Sequence, residues 1–432
     1  MSVALRDIAR WSVRNVPGVR RLGRAFLTAV QTPDIEIAEI RPLSPIASPL
    51  STPRFNLLLP SLAQEHLFGG ASTALQFFEA LTAECVDARI VLTDVDSLEN
   101  IAISVRQRWP SVLKQGSDQP GRCLAAVGGK ASAIPLAVRP DDIFVSTIWW
   151  SAYKAKALLA WQAQQFGRTL GPLTSLIQDH EPGFYPWGSR YLLAQSSYHY
   201  EGPLHAVINS PQLADYLQAQ GYQFSSTQVF EAGLHPSLRA AARMQAQINK
   251  ERILLVYGRP GVERNAFALL VQALQLWAQR LPEAAGWQII SLGEQHANIP
   301  LAHGLCLQSL GKVSLADYAQ WLRRAAVGMS LMVSPHPSYP PLEMATFEAD
   351  VITVPFANKS MTEHPRWFAV TEPTPDRLAQ QLAACTQAFD AQLRIGPVLR
   401  TINLSHPWVL ERDPFAFAPA LGQRLMKQHS SS

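Results

Sequence analysis

Two strand–helix series run one after the other along this chain, and each opens on a strongly hydrophobic strand. The first begins at FNLLLP (55–60) and continues through RIVLT (89–93), DIFVST (142–147), SLIQ (175–178) and HAVINS (205–210), with helical stretches at 71–84, 151–165 and 211–220. The pattern breaks around 233–250, which is polar and Ala-rich. It restarts at RILLVY (252–257) and proceeds through WQIIS (287–291), VGMSLMV (327–333) and VITV (351–354). Short apolar strands alternating with helices predict parallel sheets covered on both faces. A length of 432 residues is also too great for one core. The expected fold is therefore α/β, two Rossmann-like, doubly wound domains facing a cleft, over 54–245 and 246–410. Sheets of this kind bind ligands at the carboxyl ends of their strands, so the cleft is the expected site. Residues 411–432 are expected to form a final helix that packs back on the first domain.

Residues 1–53 stand apart as a basic, amphipathic N-terminal segment and linker. Much of the basic excess behind the net charge of +4 lies here, at Arg6, Arg10, Arg14, Arg20, Arg21 and Arg24. Val3, Leu5, Ile8, Trp11 and Val13 alternate with these arginines. A helix of that kind can lie on an anionic bilayer through residues 1–30, or pack on the protein with its arginines in water. Residues 31–53 are rich in Pro and Ser without sustained periodicity, which reads as a linker or arm. There is no apolar run of about 18 residues to span a membrane. Charges also stand where an export signal needs an apolar core. The expected location is the cytoplasm, with peripheral contact at the inner face of the membrane if 1–30 binds lipid. The basic residues form no stripe for nucleic acid. The four cysteines, Cys85, Cys123, Cys306 and Cys385, lack metal-ligand spacing and are expected to be reduced.

The chemistry-bearing residues gather after strands of the second series. RILLVY runs into Gly258-Arg259-Pro260-Gly261-Val262-Glu263-Arg264, and a helix at about 265–280 follows. A strand, a Gly-containing turn and a helix start make an anion site, and two arginines can each grip a phosphate in bidentate fashion. Read alone, the turn is equally a pair of solvated arginines. After VGMSLMV comes Ser334-Pro335-His336-Pro337-Ser338-Tyr339-Pro340-Pro341-Leu342-Glu343, opening another helix. Backbone amides there can hold phosphate, and Glu343 can accept ribose hydroxyls or simply complement the helix dipole. Between the two lies Leu310-Gly311-Lys312-Val313, before a helix at about 314–324. Its backbone can read a base edge, and Lys312 adds a third cation.

In the first series, Gly69-Gly70 precedes a helix, which allows a ligand close to the backbone or marks a tight turn. After SLIQ stands Asp179-His180-Glu181-Pro182-Gly183-Phe184-Tyr185-Pro186-Trp187. Carboxylates beside aromatic rings suit a sugar, and Asp179 or Glu181 can accept a proton from an acceptor hydroxyl. The same carboxylates can instead cap their loop. Thr147, Trp149 and Trp150 offer a further acceptor wall or plain core. Asp94-Val95-Asp96 spells a DxD metal motif, but it lies far in sequence from the cationic site, and no metal is expected there.

These segments resemble glycosyltransferase family 4, a retaining GT-B group, and within it the WsaF-type rhamnosyltransferases. VYGRP–ERNAF, LGKVSLADYA, SLMVSPHPSYPPLEMA and QDHEPGFYP carry the resemblance, which covers most of 54–360. It departs at one point. The family pattern has a pair of glutamates; Glu343 fills the second place, but His336 stands in the first. The resemblance implies a nucleotide-sugar donor, dTDP-L-rhamnose, and a growing bacterial surface glycan, lipid-linked or free, as acceptor. It implies no cofactor and no metal. Arg259 with Arg264 or Lys312 would hold the diphosphate, Arg259 acting as a catalytic cation. Glu343 would hold the ribose, His336 would stand near the donor sugar, and Ser338 and Tyr339 would pass close to phosphate and sugar. Gly69 and Gly70 would approach the phosphates from across the cleft. A UDP- or GDP-sugar donor, a nucleotide-sugar epimerase on the same architecture, and a non-catalytic glycan-binding scaffold remain open as rivals.

Overall fold

A computed structural model describes residues 36–63, 69–128 and 134–429. The amphipathic segment 1–30 therefore lies outside the described residues. The chain divides before Pro42. Of the part preceding it, the described residues carry a 3-10 turn at Ala38–Ile40 and an Arg41–Glu36 ion pair.

From Pro42 on, the chain forms β1 (Ser44–Ala47), β2 (Arg54–Leu59), α1 (Gly70–Leu81), β3 (Ala88–Leu92), α2 (Ile103–Arg108), β4 (Ser111–Val112), β5 (Arg122–Ala126), β6 (Pro135–Val138) and β7 (Asp142–Ser146). Then come α3 (Trp149–Phe166), β8 (Leu173–Ile177), α4 (Ser189–Ser196), β9 (Leu204–Asn209), α5 (Pro211–Ala219) and β10 (Ser226–Phe230). The first sheet has the order β10-β9-β8-β7-β2-β3-β5-β4, parallel throughout. Strands β2, β3, β7, β8 and β9 are buried along their whole length, as strands covered on both faces must be. Residues 44–47, within the stretch read as a linker or arm, form β1, which pairs in parallel with β6. A four-residue strand containing Pro45 has no room to show a period, and an edge position tolerates the proline.

The second half contains α6 (Pro236–Met244), β11 (Gln247–Gly258), α7 (Phe267–Arg280), β12 (Gln288–Gly293), β13 (Ile299–Pro300), β14 (Cys306–Gly311), α8 (Leu315–Arg324) and β15 (Ala325–Met329). It ends with α9 (Tyr339–Thr346), β16 (Asp350–Thr353), β17 (Trp367–Ala369), α10 (Pro375–Ile395), β18 (Val398–Thr401) and α11 (Ala418–His429). The sheet order is β13-β14-β12-β11-β15-β16-β17, with β18 antiparallel to the first residues of β11. The polar break at 233–250 is thus α6, whose Pro236 sits at the permitted first position, followed by the β18-paired start of β11. Strand β15 stops at Met329, short of the expected 333. Beyond it Val333 donates its amide to the Arg264 carbonyl, so the segment leaves the sheet to cover the arginine turn.

Helix α11 returns to the first half. Leu421 and Leu425 join the core beneath α1, and Gly422 lies so close to the Leu81 carbonyl that a Cβ would come within 2.3 Å of it. At the amino ends of β2, β3 and β7 lies a buried ion network. Arg54 pairs with Asp118 and Asp142, while Arg139 pairs with Asp118 and Asp87, every one of these side chains at most 5% exposed. No helix of the described residues is long and apolar enough to cross a membrane.

Candidate functional site

The carboxyl ends of both sheets supply the candidate residues, as parallel sheets require. On the first-half side, the loop after β8 carries Gln178 and Asp179. The Gln178 amide donates to the Gly70 carbonyl over 3.0 Å, which sets the start of α1 beside that loop. Gly70 has no space for a side chain larger than hydrogen without disturbing Gln178, whose Nε2 would lie 3.2 Å from a Cβ. Gly69 has a φ of 50°, the left-handed region that favours glycine.

Asp179 joins the two halves. Its carboxylate accepts the Ser334 hydroxyl from the loop after β15, and it lies 3.6 Å from the Arg264 guanidinium. Arg264 in turn stacks on Phe184, with 4.0 Å from its guanidinium carbon to the ring centroid. The first half therefore grips Arg264 through both a carboxylate and an aromatic face.

Glu181 lies two residues on but does something different. It is 6% exposed, and its carboxylate accepts the backbone amide of Trp149, the first residue of α3, at 2.5 Å. Burial pushes its carboxyl up to about 8, against the Trp149 amide and Arg264, which lower it. Of the two carboxylates, Glu181 caps a helix, whereas Asp179 meets the second half. Trp149 is core, bonded through its indole to the Tyr185 hydroxyl at 3.0 Å. Thr147 is also buried and donates to the Leu58 carbonyl at 2.8 Å. Trp150 is partly buried and donates to Asp94 at 3.1 Å, and Lys154 stands 3.6 Å from the same carboxylate. The first acid of the DxD triplet is thus occupied by protein partners. Among the described residues no group of three or more His, Cys, Asp and Glu could hold a metal ion.

In the second half, β11, β12 and β14 stand side by side and each ends on a glycine: Gly258, Gly293 and Gly311. The Arg259 side chain lies over Gly293, where a Cβ would come within 3.0 Å of it. Lys312 follows Gly311. Its ammonium sits below the usual lysine range, from desolvation first and from the charge of Arg259 second. The two cations thus feel each other at one strand edge. Arg264, expected with them, is turned instead to Asp179. The amide of Gly261, between the two arginines, is taken by Glu294 at 2.7 Å.

Glu343 accepts the Tyr318 hydroxyl at 2.9 Å, and burial pushes its carboxyl up to about 7 although that bond lowers it. The start of α9 is poorer in amides than its position suggests. Pro340 and Pro341 carry no N–H, so only Tyr339 and Leu342 can offer one in the first turn. Before it, Ser338 adopts a φ of 67°, rare for a residue with a side chain. His336 is 7% exposed and its Nδ1 accepts the Ser338 amide at 3.1 Å. Burial holds its imidazole down to about 4, so it is neutral near pH 7. Tyr339 donates to Asn209 at the end of β9 over 2.9 Å, a second tie between the halves.

Around this loop several buried polar atoms have no hydrogen-bond partner among the described residues: Arg264 Nε, Asn265 Oδ1, Ser330 Oγ, His336 Nε2 and Ser338 Oγ. Buried polar atoms are nearly always satisfied in a protein's working state, so such a cluster calls for polar partners, bound water or a ligand. Sequence reasoning missed three residues here. Ser334 and Asn265 carry no distinguishing pattern. Lys359 is 3% exposed, donates to the Met332 carbonyl at 2.8 Å, and is pushed down to about 8 by burial against the pull of Asp179. Its place shortly after VITV, at a strand's carboxyl end, is the signal that could have found it.

Two family models match this chain: "WsaF, N-terminal domain" over residues 54–211 and "WsaF, C-terminal domain" over residues 252–383. Together they take in more than half of it. The chain is 27% identical over 319 residues to the O-antigen biosynthesis protein RfbC of Myxococcus xanthus, a match covering 70% of this chain and 23% of that protein. It thus spans about a quarter of that relative's length. Among solved structures, TarM superposes with a TM-score of 0.51 at 8% identity, covering 89% of this chain and 96% of TarM. Sucrose-phosphate synthase from Thermosynechococcus elongatus gives 0.49 at 14% identity, covering 88% and 94%. At 8% identity the TarM likeness speaks for the fold alone, and the fold is GT-B, two Rossmann-like domains facing a cleft.

Proposed function

Because the chain belongs to the WsaF family, we propose that it is a retaining glycosyltransferase that moves L-rhamnose from dTDP-L-rhamnose onto a growing bacterial surface glycan. The observation that carries this reading is the cluster of unpartnered buried polar atoms around the start of α9. It lies at the carboxyl edges of two facing sheets, with Arg259 and Lys312 at one of them. The surface-glycan assignment is supported by the name of the relative from Myxococcus xanthus, an O-antigen biosynthesis protein.

In this reading residues 246–410 hold the donor and residues 54–245 the acceptor. Arg259 and Lys312 bind the diphosphate, Glu343 the ribose, and Gly69, Gly70 and Ser338 pass close to phosphate. His336, neutral, stands by the donor sugar together with Tyr339. As the glycosidic bond breaks, the diphosphate gains charge, and fixed cations there lower the barrier without a metal or cofactor. Arg264 is shared: Asp179 holds it until the diphosphate competes for it. The acceptor hydroxyl attacks from the face the leaving group departs, and gives its proton to Asp179 or to the departing phosphate oxygen. The acceptor is lipid-linked, and residues 1–30 bring the protein to the inner face of an anionic membrane. Deleting those residues tests the last point, since binding to anionic vesicles is then lost while nucleotide affinity is kept.

The deciding experiment is a thermal-shift screen of dTDP-, UDP- and GDP-sugars. A ligand that binds only the folded state raises the melting midpoint. The largest rise with dTDP-L-rhamnose supports the donor assignment. A larger rise with a UDP- or GDP-sugar replaces the donor and keeps the transferase. No rise with any of them removes the reading.

A further inference from the structure

A cavity of about 280 Å³, whose lining includes neither Arg259 nor Lys312, lies between the end of the first sheet and the start of α9. Both chain crossings between the halves line it. Glu231, Ala232 and Gly233 belong to the crossing from β10 to α6, and Trp408 and Arg412 to the return from β18 to α11. The crossings are bonded to each other there, the Leu234 amide to the Trp408 carbonyl at 3.0 Å. The cavity therefore sits at the hinge.

Its lining selects a kind of occupant. Trp367 and the stacked pair Tyr339–Trp408, whose centroids are 5.4 Å apart at 21°, give it aromatic walls. Glu231 and Glu363 are matched by Lys359 and Arg412, so no net charge calls for an ion of either sign. Two lining residues each carry a buried polar atom with no partner among the described residues: the acceptor Gln212 Oε1 and the donor Trp408 Nε1. A purely apolar guest would leave both without a partner. A neutral ring with hydroxyls satisfies all three conditions, because its C–H faces pack on aromatic rings while its hydroxyls both donate and accept. We propose that this cavity is a second carbohydrate site that takes one uncharged sugar ring at the hinge, sharing Tyr339 with the donor-sugar side but clear of the diphosphate cations Arg259 and Lys312.

Filling it needs no transfer reaction, so free sugars report on it directly. The probes are L-rhamnose, D-glucose, D-mannose and N-acetyl-D-glucosamine, with D-glucuronate and inorganic phosphate as charged controls. Binding to the full chain is followed by saturation-transfer NMR. At least one neutral sugar should bind saturably, and Ala232→Leu, which fills the cavity, should weaken it about tenfold or more. Gln212→Leu, on a partly exposed helix position, is the second variant in case the first does not fold. In both variants the thermal shift with nucleoside diphosphates should stay unchanged, which separates this site from the donor reading. The proposal is overturned if no neutral sugar binds, if binding ignores both variants, or if glucuronate or phosphate binds better.

Discussion

Asp179, on the loop after β8, and Arg264, on the turn after β11, meet across the two halves with 3.6 Å between carboxylate and guanidinium. Ser334 bonds the same carboxylate from a third loop, and Phe184 covers the guanidinium from the first half. A group proposed for the acceptor and a group proposed for the donor thus belong to one network. Whatever displaces Arg264 from Asp179 alters both sites together.

Arg259 stands clear of that network, and it gives the plainest test of the anion site. Arg259→Ala removes a charge-assisted contact to the diphosphate and should lower kcat/KM by on the order of 10² or more. The nucleotide-induced rise in Tm should shrink with it. Normal turnover in a variant whose circular dichroism matches the parent would remove Arg259 from the site.

Glu343 makes nucleotide binding depend on pH. Its carboxyl titrates near 7, because burial outweighs the hydrogen bond from Tyr318. Only the ionised form accepts two ribose hydroxyls, so the affinity for dTDP should rise as pH climbs from about 6 to about 8. Stability moves the other way. The folded pKa lies above the ordinary value of 4.5, so the contribution of Glu343 is fully present below that value and is lost as pH rises through about 7. Glu343→Gln should flatten both trends around pH 7, as read by calorimetric titration and by Tm. A variant that keeps the parent's slope in both would exclude this carboxyl as their source.

The strands that were legible are those buried on both faces. Leu57, Leu58, Ile90, Val91, Val207 and Ile208 form apolar runs because helices cover the sheet above and below. Strand β10 was not legible: Ser226–Phe230 lies at the sheet edge and reads as polar residues with one buried end. Strand β14 was hidden because exposed Cys306 and Gln308 and polar Ser309 interrupt any apolar run. In the site, Arg259, Lys312 and Glu343 could be read because each follows a strand or opens a helix within a few residues. The meeting of Ser334 with Asp179 could not, since it joins residues 155 positions apart and depends on how the halves face each other. The same holds for the buried arginines: Arg54 and Arg89 begin apolar strands, and nothing local reveals that their partners come from 118 and 142.

Breaking that network at one partner should destabilise the first half strongly. Asp118 accepts from Arg54 at 2.5 Å and from Arg139 at 2.8 Å, with all three side chains fully buried. Asp118→Asn removes the charge and leaves two guanidiniums incompletely compensated, at a cost of about 3–5 kcal/mol. Urea unfolding followed by tryptophan fluorescence measures it. A loss below about 1 kcal/mol would mean that the arginines find water or other partners.

The division of labour between Asp179 and Glu181 is the most exposed claim. Asp179 touches Arg264 and Ser334 at the meeting of the halves, whereas Glu181 is buried under α3 and bonded to the Trp149 amide. Asp179→Asn keeps an oxygen for Ser334 but removes the basic charge. If Asp179 takes the acceptor's proton, turnover should fall by roughly 10²–10⁴, while donor KM stays the same or falls, because Arg264 is released to the diphosphate. Glu181 should behave otherwise. Its carboxyl titrates near 8, so it is largely neutral at pH 7, and Glu181→Gln mimics that state with nearly normal activity per folded molecule. Glu181→Ala strands the Trp149 amide and should cost about 1–3 kcal/mol of stability without a matching loss of turnover. Should Asp179→Asn turn over normally while Glu181→Gln loses its activity, the roles are reversed. Should both turn over normally, neither carboxylate does chemistry, and the departing phosphate oxygen is left as the group that takes the proton.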